Sequence, residues 1–358
     1  MRRLAAAVLV LLIAGAAPPG AAEQLAHEVR SSGGAVAFIV RFKDAERRER
    51  LLQFALPAQR YAEARQGLTP VDSPEIQRRM NAPIETFIAN TRVAWRQAMA
   101  DRLQALAGTL PDGIRLDWSF QGRELSWSLK GRGVDRATLE RHGARLARHL
   151  KRASRRINDR RQGELNGYAK RVRAEVLSEL KYVRDPGLGS RLRPDYAGLA
   201  QAQADLLRPL AAEIETRADG GVRARVALAL AFLQTIPYDE LQARGAADGT
   251  GFAVPAQLLH LNRGDCDSKA TALAALMKHL APDVRTAVVL LPGHAVLAAD
   301  LPLQPGDRAL ELDGERLLLM EPAGPAVFRP GRVSPDSRQR IDAGEVLSVV
   351  WMTGGPQA

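Results

Sequence analysis

The chain has 358 residues, 46% of them apolar and 25% charged, with a formal net charge of +11. That composition suits a folded protein and excludes a disordered one. A single cysteine excludes an intramolecular disulfide, a CxxC redox pair and every multi-cysteine zinc or iron–sulfur centre; the six histidines leave a histidine-based metal site open but give it no spacing, since HExxH is absent, and no cofactor is expected. Met1-Arg2-Arg3, the apolar run from Leu4 to Ala17, Pro18-Pro19 and then Gly20, Ala21 and Ala22 follow the order of a secretory signal peptide. Residues 1–22 are therefore predicted to be a leader cut after Ala22, with export, most simply to a bacterial periplasm. The competing reading, a membrane anchor, needs a run of roughly 20 apolar residues. A lone cysteine in such a compartment is either buried and inert or kept as a working thiol.

Residues 36–43 read as a strand, and LLQFALPAQ as a second strand or a turn of helix. From Ile76 a helical period takes over through Met80, Ile84, Phe87, Ile88, Trp95, Met99, Leu103 and Leu106, with Asn81 and Pro83 expected to disturb its first turn. Residues 114–120 and 124–129 alternate about Gln121-Gly122-Arg123 and predict a hairpin carrying Trp118 and Trp127. Residues 30–132 are accordingly read as a small α+β domain. Residues 133–190 follow as a long basic helical region, in which Gly163 and Gly167 are expected to divide two helices.

Between Arg141 and Arg184 stand 14 Arg and Lys against 4 Asp and Glu. The plain reading is a solvated face. The functional one is attraction to an anionic envelope surface or an acidic envelope protein. No nucleic acid is expected, because few aromatic side chains interleave with the arginines.

A second domain is read over 196–352. Helices are predicted over 199–217 and 222–236, then a loop from Ile236-Pro237-Tyr238 to Leu261, then RGDCDSKATALAALMKHL at 263–280. Gly264 permits a tight turn, Asp265 caps a helix, and Cys266 falls in its first turn. There the free N–H groups and the helix dipole favour a thiolate or a developing oxyanion. Cys266 is also in phase with Ala270, Leu273, Met277 and Leu280, which fits a plain core residue. A strand over 284–291 turns at Pro292-Gly293, and His294 opens the next. A hairpin about Asp313-Gly314 ends at Glu321-Pro322. A helix-start thiol, a strand-edge imidazole and a strand-end carboxylate can serve as nucleophile, base and orienting group. His142, His149, His260 and His279 compete with His294. Asp300, Glu311 and Asp313 compete with Glu321, and Asp265 and Asp267 would raise the thiol pKa.

The pieces FLQTIPYDE, RGDCDSKATALAALMKHL, LLPGHAVLA and LLLMEPAG resemble the transglutaminase-like superfamily of papain-fold cysteine enzymes, in its bacterial exported branch. The resemblance covers about residues 227–322. It implies an α+β fold with a papain-like carboxy-terminal domain, Cys266 as nucleophile, His294 as base and Glu321 in the acidic position, where many members carry Asp. It also implies that Gln234 lines the site or holds an oxyanion, with Tyr238 as a further cleft residue. The expected activity is acyl transfer at amide bonds of peptides or proteins, as a protease, amidase or transamidase. The alternative is an inactive scaffold or binding protein of the envelope.

Overall fold

The computed structural model describes residues 22–122, 124–241, 251–324 and 326–353, so the predicted leader lies outside the described residues except for Ala22. The architecture is mixed α+β, built of helices and antiparallel sheets. It divides into two compact units, one formed by the chain to Pro70 together with the chain from Lys181, the other by Val71–Leu180.

The first unit begins with β1 (Gln24–Ser32), β2 (Ala35–Lys43) and β3 (Glu49–Pro57), an antiparallel sheet in that order, followed by the short helix α1 (Ala58–Ala64). Val36, Phe38, Val40 and Phe42 alternate into the core, as a period of two requires. The second unit holds α2 (Pro74–Ala107), the hairpin β4 (Ile114–Gln121) and β5 (Glu124–Gly131), and α3 (Arg136–Glu179). Trp118 and Trp127 are direct cross-strand partners. Met99, Leu103, Leu116, Leu146 and Leu150 form the core shared by both helices and the hairpin.

The first unit resumes with β6 (Tyr182–Asp185), β7 (Arg191–Pro194), α4 (Tyr196–Arg217), α5 (Val222–Thr235), α6 (Pro255–Leu261) and α7 (Cys266–Leu280). It closes with β8 (Thr286–Leu291), β9 (His294–Ala299), β10 (Ala309–Leu312), β11 (Glu315–Met320), α8 (Pro335–Asp342) and β12 (Ser348–Thr353). Their sheet runs β10-β11-β9-β8-β12 with every pairing antiparallel. Helix α7 packs on β8 and β9 and is flanked by α4, α5 and α6.

Three expectations change here. The span 30–132 is divided between the two units: β2 and β3 pack on α5 and α4, with Phe42 against Phe232 at 5.9 Å between ring centroids. The hairpin instead shares its core with α2 and α3, so 133–180 joins the hairpin, while 181–190, expected to be helical, leads into β6 and β7 of the first unit. Apolar faces choose partners by shape, whatever their order in the chain. Second, α3 runs unbroken through Gly163 and Gly167. A glycine costs a helix about 1 kcal/mol, and the Arg160–Glu164 pair, one turn apart, spans Gly163. Third, α2 continues through Pro83. The carbonyl that its missing N–H leaves free is that of exposed Arg79, where water can serve it. No helix among the described residues is long and apolar enough to cross a membrane.

Candidate active site

The first turn of α7 is tied down residue by residue. The Asp265 carboxylate caps the helix by accepting from Ser268 N at 3.1 Å. Ser268 Oγ accepts from Ala253 N at 2.8 Å, and the buried Lys269 ammonium donates to Ile236 O. Gly264 pairs with Tyr238 in an isolated parallel bridge. Its φ is not left-handed, which corrects the tight-turn expectation. The glycine is required by packing: a Cβ there would stand 2.4 Å from Leu258 Cδ1. Helix α7 is buried on nearly every side, beyond the single apolar stripe expected, because helices cover the faces that the sheet leaves open.

Cys266 is 9% exposed. Burial pushes its thiol up to about 12, helped by the neighbouring carboxyls of Asp267 and Asp265, while the backbone N–H groups of Ala295 and Asp267 pull the other way. Asp265 is itself raised to about 9 by burial and by the charge on Asp267. Tyr196 OH donates to Asp267 Oδ2 at 2.6 Å. Lys269 is lowered to about 8 by burial, against the opposing attraction of Asp265 and Cys266.

His294 opens β9 immediately after the Pro292-Gly293 turn, and its side chain is 19% exposed. Antiparallel pairing sets Met320 opposite Leu297. Glu321 and His294 are consequently diagonal neighbours on one face, as the alternation of side chains demands. The imidazole Nε2 donates to Glu321 Oε1. Glu321 is 2% exposed, and its other oxygen accepts from Ser334 N at 3.2 Å. In the neutral tautomer that donates from Nε2 to the carboxylate, Nδ1 is the ring nitrogen left to accept a proton. Among the described residues no hydrogen bond joins the sulfur to the imidazole. Their residues meet through the Ala295 N–H, one position beyond His294.

Gln234, at the end of α5, is 1% exposed. Its Nε2 donates to Glu321 O at 2.7 Å and Phe328 O at 3.2 Å, and its Oε1 accepts from Phe328 N at 3.2 Å. Both amide protons are used, so none is left for an oxyanion. Its place is beneath the carboxylate, bracing the backbone that carries it. Tyr238 is half exposed, and its phenol is raised to about 12 by burial and by nearby Cys266 and Asp265, which sets it at the sulfur's side.

The competing histidines stand elsewhere. His260 lies exposed against Arg65, His279 bonds Ala204 O at 2.8 Å, and His142 and His149 belong to α3. Asp313 takes a left-handed turn conformation between β10 and β11. Lys269, Tyr196 and Ser334 were missed from the sequence. The first had a signal: a lysine inside an otherwise apolar, alanine-rich helix. Among the described residues no group of three or more His, Cys, Asp or Glu is arranged to hold a metal.

A cavity of about 600 Å³ lies at the opposite end of α5, walled by Arg50, Arg223, Asp307 and Arg332 among others, and touches none of Cys266, His294 or Glu321. No family model, no curated protein and no solved structure matches the chain.

Proposed function

We propose that the first unit carries a papain-like, transglutaminase-like domain and that the chain is a cysteine-dependent acyl-transfer enzyme acting on amide bonds of peptides or proteins. The observation that carries the reading is the His294 Nε2–Glu321 hydrogen bond, set where the next residue's N–H reaches the Cys266 sulfur. The thiol gives its proton to Nδ1 as the sulfur attacks the carbonyl carbon. Glu321 stabilises the imidazolium that forms. First-turn N–H groups of α7 face the oxyanion. The imidazolium then protonates the leaving amine, which leaves an acyl group on the sulfur for water or a second amine.

A second reading, an inert scaffold, is favoured by one observation: the buried thiol, held up to about 12, is far from a resting thiolate. Turnover of a fluorogenic peptide-amide panel separates the two. In the acyl-transfer reading Glu321→Gln lowers kcat about 10²–10⁴-fold, and Glu321→Asp keeps part of the activity. Equal turnover by native chain and Glu321→Gln, or turnover that survives Cys266→Ala, refutes it.

A further inference from the structure

From Arg141 to Arg156, α3 carries seven Arg and Lys and no Asp or Glu. At 100° per residue, Arg141, Arg145, Arg148, Arg152, Arg155 and Arg156 fall within an arc of about 100°, along about 22 Å of helix axis. All six are exposed. The buried Leu146 and Leu150 point the other way, into the core that includes the half-buried Trp95, Trp118 and Trp127. Just outside the stretch, arginines are neutralised at i,i+4, as Arg136–Glu140 and Arg160–Glu164. Inside it, among the described residues, none of the six has a carboxylate within ion-pair distance, and Arg141 bonds only Thr138 Oγ1. Like charges at i,i+3 and i,i+4 destabilise a helix. Arg141 is relieved in part by the Asp135 carboxylate; the five from Arg145 to Arg156 keep their like charges over about three turns, an arrangement suited to an external field of negative charge.

We propose that this stripe docks on an anionic phospholipid bilayer. A plane tangent to a straight rod meets all six guanidinium groups at once. Each can take a phosphodiester in a two-pronged hydrogen bond that a lysine cannot form. A nucleic-acid duplex curves away from a straight stripe, and the aromatic platforms that single strands stack on lie on the opposite, core-facing side of α3. The inference is independent of the acyl-transfer reading, since it concerns the other unit and none of its residues.

The test is cosedimentation of the full chain with vesicles of phosphatidylcholine carrying 30% phosphatidylglycerol, against phosphatidylcholine alone, at low and high salt. The proposal expects binding to the anionic vesicles that weakens at least tenfold at high salt. Changing Arg145, Arg148 and Arg152 together to Gln should weaken binding about 100-fold, from about fivefold for each charge near the surface. The same three changed to Lys should retain most of it. Arg115, Arg132 and Arg136 changed together to Gln, in the same unit but off the stripe, should cost less than tenfold. Equal loss from the two Gln triples, equal binding to the neutral vesicles, or tighter stripe-dependent binding to a DNA duplex than to the anionic vesicles overturns the proposal.

Discussion

Replacing Gln234 with Met separates a bracing role from a catalytic one. The swap keeps the length of a side chain that is 1% exposed, so little packing volume is lost. What disappears is three hydrogen bonds to the backbone: Glu321 O at 2.7 Å, Phe328 O at 3.2 Å and Phe328 N at 3.2 Å. A hydrogen bond of this kind contributes about 1 kcal/mol net, and a buried group left without a partner costs more, so the loss should be about 3 kcal/mol. The first unit can be followed alone. Trp351 lies in β12, whereas Trp95, Trp118 and Trp127 all belong to the other unit and can be changed to Phe. Urea unfolding read by Trp351 fluorescence then gives the difference directly. A stability loss below about 0.5 kcal/mol together with a fall in kcat would show that the amide faces the reacting carbonyl, and would refute the bracing account.

Two buried groups beside the thiol set a pH signature. Asp265 is raised from 3.8 to about 9, so between those values the folded chain holds a proton that the unfolded chain has released, and stability falls as pH rises through the window. Asp265→Asn should flatten that slope in urea midpoints measured from pH 4 to pH 9, and an unchanged slope would refute the assignment. Lys269 works in the opposite sense. Lowered from 10.5 to about 8, it gives a contribution that rises with pH between 8 and 10.5, and Lys269→Met should abolish the rise in urea midpoints measured from pH 7.5 to pH 10.5. The thiol, pushed up to about 12, should react with iodoacetamide at a rate that keeps climbing through pH 10, since the thiolate is the reacting form. A plateau near pH 9 would show an ordinary thiol.

Much of the site region was legible in the sequence because its signals are local. Asp265 before an apolar helical run marks a capped helix, and Pro292-Gly293 ahead of His294 marks a turn into a strand. The alternation around Trp118 and Trp127 is short-range in the same way. What escaped was non-local or had too little pattern. Strand β1, with the sequence QLAHEVRSS, has few β-branched residues and leaves most of its side chains half or fully exposed, so it shows almost no alternation. Strands β6 and β7 are four residues each. The attachment of β1–β3 to helices more than 130 residues later leaves no trace in any window. Gln234 was legible as a polar residue ending an apolar helix, but the direction of its amide depends on a loop 94 residues away. Ser334, which holds the second oxygen of Glu321, is fixed by the same kind of distant closure.

The acyl-transfer account is tested most directly by intact-mass spectrometry of the chain after brief exposure to an activated peptide ester at neutral pH. It predicts a single acyl group, mapped to Cys266, that forms at least 100-fold more slowly in His294→Ala and then clears with time in the native chain. Absence of any adduct on Cys266, or acylation equally fast without the imidazole, would contradict it.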